Sequence, residues 1–330
     1  MGYHIKTIAK GMLIGALSFI LFCLFLEFVY GYIRHESVFA RTVTDFEGRK
    51  DEIEVLFLGP SDVKRSIIPA AFDQKAFNFS NAGENSIETY HRLKYYIDDM
   101  PRLKVVVLPL SLATFSSFIT DRIRPEYYKY GYITYADLWQ LYNVKGAIIL
   151  KQKFLSFFSA MQKEQMMPFL MYMDSLSRGV SFNSPTLIDG YARSNSVAVT
   201  KGFASDRARW HLEGSDVFDE DLLLYFEKTL RLCNAKGISV VLLSCPYRDD
   251  YLLYAGRYID KDALHKKVLE DPGYSGLIYR HLDYLDLYAD EHDLFREPDH
   301  LNHKGAVKFS RLVAEDISGM MEDLDKNQQH

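Results

Sequence analysis

Leu56-Phe57-Leu58-Gly59-Pro60-Ser61-Asp62 is the stretch on which the reading of this chain turns. Ile53 to Leu58 is an apolar run of strand character that breaks at Gly59, with a hydroxyl two residues later. Near the other end, Glu297-Pro298-Asp299-His300-Leu301-Asn302 sets carboxylates, an imidazole and an amide just ahead of a helical pattern. Ligands of a doubly wound α/β sheet bind at the carboxyl ends of its strands, so residues this distant in sequence can meet there. The two segments together suggest a serine hydrolase site.

Outward from the first segment, strand and helix patterns alternate. Ala76 to Phe79 reads as a second strand, Ser86 to Asp99 as a helix ended before Pro101, and Leu103 to Pro109 as a β-branched strand. Later, Asp219 to Ala235 has Leu222, Leu223, Phe226 and Leu230 at helical spacing, Gly237 as a stop, and a strand from Ile238 to Leu243 behind it. A short apolar stretch, Tyr284 to Leu287, precedes the His300 segment, and a last helix runs from His303 to about Met320. This alternation predicts a three-layer α/β domain over residues 51–330, with a doubly wound, mostly parallel sheet. Residues 115–215 lack it. They hold Tyr127 to Tyr142, an apolar and basic run from Ala147 to Phe158 and a Met-rich patch from Met161 to Met173, and are expected to form a largely helical insertion over the ligand-binding edge.

The 330 residues carry a formal charge of −5 and no basic run that would track phosphates, which argues against a nucleic-acid partner. Cys23, Cys233 and Cys245 lie too far apart for metal-ligand spacing, so neither a zinc site nor a disulfide framework is expected, nor any other metal or cofactor. Gly11 to Ile33 is almost wholly apolar and long enough for one membrane-spanning helix. Lys6 and Lys10 before it predict a cytoplasmic segment at residues 1–10 and an extracytoplasmic chain beyond the anchor, joined by a stalk at residues 34–50. The apolar core is too long for an ordinary cleaved signal. Glu27 interrupts the span, either reaching the interface or pairing with another membrane protein.

A nucleophilic serine needs a base within hydrogen-bond reach and a group to orient that base. Ser61 is the candidate nucleophile, His300 the base, and Glu297 or Asp299 the orienting acid. Lys64 and Arg65 follow Ser61 within one turn and face solvent or an anionic substrate group; Asn81 and Asn85 flank Gly83 and are candidate substrate contacts. Trp210 and His211 close the insertion within possible reach of the cleft.

These residues resemble the SGNH or GDSL hydrolase superfamily, in its membrane-anchored extracytoplasmic branch associated with cell-surface polysaccharide acylation. The resemblance covers about residues 51–111 and 238–318 and rests on Gly59-Pro60-Ser61, on Gly83 within Asn78-Phe79-Ser80-Asn81-Ala82-Gly83, and on Glu297, His300, Leu301, Asn302, Gly305 and Ala306. It implies oxyanion donors from the amides of Ser61 and Gly83. The family's third box, Gly-x-Asn-Asp with an asparagine amide for the oxyanion, is replaced by Leu108-Pro109-Leu110-Ser111, leaving Ser111 as a substitute donor. The resemblance further implies an esterase or O-acyltransferase acting on acyl groups, commonly acetyl, of a glycan at a bacterial-type cell membrane, with a membrane-bound O-acyltransferase as partner. The alternative is a catalytically silent glycan-binding or assembly protein on the same fold.

Overall fold

The computed structural model describes residues 2–35, 38–119, 123–146, 149–150, 187–193 and 203–327. The described residues fall into two compact units, one drawn from residues 1–41 and 124–184, the other from 42–123 and 185–330.

The first unit contains a helix over Gly2–His35, in which Ile8–Phe25 is long and apolar enough to cross a membrane. It also holds short helices at Pro125–Lys129 and Tyr135–Lys145, and Phe39 packs on the rings of Tyr127 and Tyr130 at 5.9 and 5.4 Å. The side chain of Glu27 lies outside the described residues, as do the Met161 to Met173 patch and, apart from residues 149–150, the run from Ala147 to Phe158.

The second unit is built on strands β1 (Val55–Phe57), β2 (Ala76–Asn78), β3 (Val105–Pro109), β6 (Ser239–Ser244) and β7 (Arg280–Asp283), with two small strand pairs between and after them. The five form one parallel sheet in the order β2-β1-β3-β6-β7, with Val55 opposite both Ala76 and Val105. Strands such as Val105-Val106-Val107-Leu108 are apolar throughout because helices cover both faces of the central strands. On one face the helix His303–Asn327 sets Phe309, Val313 and Ile317 against Val55, Phe57 and Val107. On the other, the helices Ser86–Tyr96 and Glu220–Ala235 pack together. Near the first of these, Glu84 and Arg92 form a buried ion pair at 2.5 Å.

Three features go beyond the sequence expectations. Tyr284 to Leu287 forms a turn, and the last sheet strand is Arg280–Asp283, an edge strand whose only buried side chain is Leu282, so no apolar run announces it. The expected stalk is helical over Val38–Glu47, because Ala40, Val43 and Phe46 recur at helical spacing; Phe46 is fully buried and stacks on Phe79 at 4.1 Å. Within the insertion, expected to be largely helical, the described residues also include two short strands. Strands β4 (Leu187–Ile188) and β5 (Tyr191–Ala192) pair as a hairpin, and its Asp189 carbonyl accepts from the amide of Asn78 on edge strand β2 at 3.0 Å. Gly190 makes that approach possible: its φ is +86°, and a Cβ there would lie 1.9 Å from the Asn78 carbonyl oxygen.

Candidate active site

The end of β1 is shaped for a tight exit. Gly59 has φ +123°, and a Cβ on it would stand 2.8 Å from the Pro109 ring. Its carbonyl accepts the Asn81 amide at 2.8 Å, Pro60 caps the next helix, and Ser61 is the first residue of Ser61–Ser66. The amide of Ser61 therefore has no acceptor inside the helix and remains available to an anion.

His300 approaches from the opposite side on β9 (His300–Leu301), which pairs with β8 (Phe295–Glu297) across a bulge and sets Glu297 beside His300. The loop is held by Asn302, whose side-chain amide donates to the Asp293 carbonyl at 2.7 Å while its Oδ1 accepts the Gly305 amide at 3.1 Å. Gly305 cannot carry a side chain without moving its neighbours, since a Cβ would fall 2.3 Å from the Leu294 carbonyl oxygen. His300 Nε2 consequently lies 2.7 Å from Ser61 Oγ. Its Nδ1 is 2.6 Å from Glu297 Oε2 and 3.3 Å from Asp299 Oδ1. With carboxylates at Nδ1, the proton of the neutral ring belongs there, and Nε2 is the acceptor for the serine hydroxyl.

The nearer acid is Glu297. Asp299 spends its Oδ1 on Arg207 Nε at 2.8 Å, and the Arg207 guanidinium also stands over the Trp210 ring at 5.6 Å. The hydrogen bond from His300, reinforced by its charge and those of Arg207 and Arg65, brings the Glu297 carboxyl down to about 2 against the opposing effect of burial. Burial pushes Asp299 upward, but attraction to His300 and Arg207 prevails and holds it well below the usual carboxylate range. For His300, burial pulls the pKa down, and the Asp299 charge with the hydrogen bonds to Asp299 and Glu297 more than restores it, leaving a base stronger than an ordinary histidine.

Ser61, Gly83, Ser111, Phe118, His211 and His300 line a cleft of about 60 Å³. Gly83 has φ +70° and open space where a Cβ would be. Ser111 is in place, but its amide donates to Thr114 Oγ1 at 2.7 Å and its hydroxyl lies 3.0 Å from the same oxygen. Beneath Ser61, Asp62 is raised by burial and accepts from the Tyr247 hydroxyl at 3.3 Å.

The structure thus brings together Ser61, His300, Glu297, Asp299, Gly83 and Ser111. It does not bring the two asparagines to the cleft. Asn85 is the N-cap of Ser86–Tyr96, its side chain accepting the Glu88 amide in a reciprocal capping box. Asn81 is buried outside the cleft lining, and its Nδ2 has no partner among the described residues. Lys64 is buried rather than facing solvent. Arg65 is half-buried, one turn beyond Ser61, with no hydrogen bond or ion pair to any described residue, and burial followed by the Arg296 charge lowers its pKa. Sequence reasoning missed Arg207 and Tyr251; the only signal was the i, i+4 spacing of Arg207 and His211 on the helix Phe203–Leu212. No protein-family model matches this chain, and no curated protein matches it.

Proposed function

We propose that this chain is a serine esterase or O-acyltransferase of the SGNH type, acting through an acyl-Ser61 intermediate on acyl esters of an extracytoplasmic glycan. The single observation that carries the reading is the 2.7 Å contact between Ser61 Oγ and His300 Nε2, with Glu297 on the far nitrogen. The sheet order supports it, since a nucleophile on the turn after β1 of a 2-1-3-4-5 sheet sits at the topological switch point. Ser61 Oγ attacks the ester carbonyl while His300 Nε2 takes its proton. The alkoxide formed on the carbonyl oxygen is held by the amides of Ser61 and Gly83. Collapse expels the sugar oxygen, which leaves with the proton from His300. Water or a second sugar hydroxyl then gives a proton to His300 and attacks the acyl-serine, and Ser61 regains its proton as the product leaves.

The small cleft fits a short acyl group such as acetyl. Arg65, a charge without an ion-pair partner among the described residues, suits a glycan bearing an anionic group. The apolar helix near the N-terminus, with Lys6 and Lys10 at its amino-terminal end, supports a tether that leaves the sheet unit outside the cytoplasm, where a membrane-bound O-acyltransferase would supply acyl groups. Full-length protein in detergent micelles should hydrolyse p-nitrophenyl acetate and be labelled by a fluorophosphonate, both depending on Ser61. If Ser61→Ala matches the starting protein and no label is incorporated, the catalytic reading fails in favour of glycan binding without turnover.

A further inference from the structure

We infer that His211 completes the oxyanion hole of this site, donating from Nε2–H to the developing alkoxide in the place that an asparagine amide would otherwise fill. The inference rests on the acyl-serine reading of Ser61.

His211 lies in the last turn of the helix Phe203–Leu212 and lines the same cleft as Ser61 and Gly83. Its backbone is fixed there, since its carbonyl accepts from Ser116 Oγ at 2.7 Å. The ring is packed by aromatic neighbours, with centroids at 5.0 Å to Phe118, 5.2 Å to Trp210 and 5.9 Å to Tyr251. Such packing holds the ring in one orientation before substrate arrives, as an oxyanion donor requires.

The tautomer follows from Tyr251. Its ring is fully buried, and its hydroxyl has one hydrogen-bond partner among the described residues, His211 Nδ1 at 2.8 Å. A buried phenol proton left without an acceptor is costly, so the hydroxyl donates to Nδ1. Nδ1 is then the acceptor, and the ring proton resides on Nε2. Asp299 Oδ2 is 4.0 Å from Nδ1, too far to claim a proton there. Nε2 has no protein partner among the described residues, and the residue lines the cleft. Burial lowers the ring to about 4 against the pull of Asp299, and the charges of Arg207 and His300 lower it further, so at neutral pH it donates without carrying a charge.

The remaining strand end offers no free amide in its stead. Leu108-Pro109-Leu110-Ser111 has no side-chain amide, the Ser111 N–H is already taken by Thr114 Oγ1, and the Ser111 hydroxyl lies 3.0 Å from the same oxygen. Loss of one such donor costs about 10²–10³ in kcat.

The test uses full-length protein in detergent, with kcat and KM for p-nitrophenyl acetate and the rate of fluorophosphonate labelling at Ser61. His211→Leu should lose about 10²-fold or more in kcat with KM changed less than threefold, and label correspondingly slowly. His211→Gln, which keeps an N–H near the Nε2 position, should recover at least tenfold over His211→Leu. Tyr251→Phe, which frees the tautomer, should fall between His211→Leu and the starting protein. If His211→Leu turns over at the starting rate, the inference is overturned while the Ser61 reading stands. If His211→Gln is no better than His211→Leu, the role is structural and the inference is equally overturned. If the starting protein shows no Ser61-dependent turnover or labelling, both fail together.

Discussion

Replacing Glu297 by Gln keeps the shape of the orienting acid and removes its charge, which isolates what that charge does for His300. The Glu297 carboxyl falls from 4.5 to about 2, and at roughly 1.36 kcal/mol per pH unit that difference is about 3 kcal/mol. Arg207 and Arg65 own part of it, and the side chain is 17 % exposed, so screening reduces the share felt by His300 to about 2 kcal/mol. That share is drawn on when the imidazolium forms in the transition state, predicting a loss of about 30-fold in kcat with little change in KM. A second readout comes from pH. Catalysis needs His300 unprotonated, so activity is lost as pH falls through its pKa, which its carboxylates raise above 6.5. Taking away the Glu297 charge lowers that pKa, and the acid limb of the kcat/KM profile should move to lower pH. A Glu297→Gln protein within threefold of the starting kcat and with an unmoved limb would refute the assignment. So would an Asp299→Asn protein that loses more kcat than Glu297→Gln, which would hand the orienting role to Asp299.

Three further outcomes are expected. Arg92→Met strands the Glu84 carboxylate, 0 % exposed, inside the protein; the cost of about 3–5 kcal/mol should appear as a lower urea midpoint, and a Glu84→Gln change in the same protein should recover part of it. Gly305→Ala forces a methyl toward the Leu294 carbonyl, so it should cost about 1–3 kcal/mol and depress kcat by displacing the His300 loop, although it touches no reacting group. Asn85→Ala should cost about 1 kcal/mol in thermal unfolding by loss of the cap while KM for ester stays as it was; a raised KM would return Asn85 to the substrate.

The parts of the site that were legible in the sequence are those that break a local pattern. Gly59 and Ser61 end an apolar strand, and His300 lies in a polar run before a helix, so each is announced by its own neighbours. Glu297 and Asp299 were visible as a pair but not separable, because the choice depends on a bulge in the β8 and β9 pairing that no spacing rule reports. His211 was placed within reach of the cleft by its position at the end of the insertion, but Arg207 was obscured for a different reason. It sits on an ordinary surface-patterned helix, and only tertiary packing turns one face of it toward residues about ninety positions away. In the fold, buried parallel strands declared themselves by apolar content, whereas β7 did not, since an edge strand satisfies its backbone on one side and tolerates Arg280, His281 and Asp283. The helix Val38–Glu47 was missed because its charged residues conceal a three-position apolar stripe.

The hairpin at residues 187–192 has a consequence for crowding. An open parallel sheet has two raw edges, each able to recruit the edge of another copy. Here the β2 edge is occupied by the Asp189 carbonyl, and the β7 edge carries exposed Arg280 and Asp283. With Asn78 already paired to the chain's own backbone and β7 carrying charge, each edge is a poorer template for a strand of another molecule.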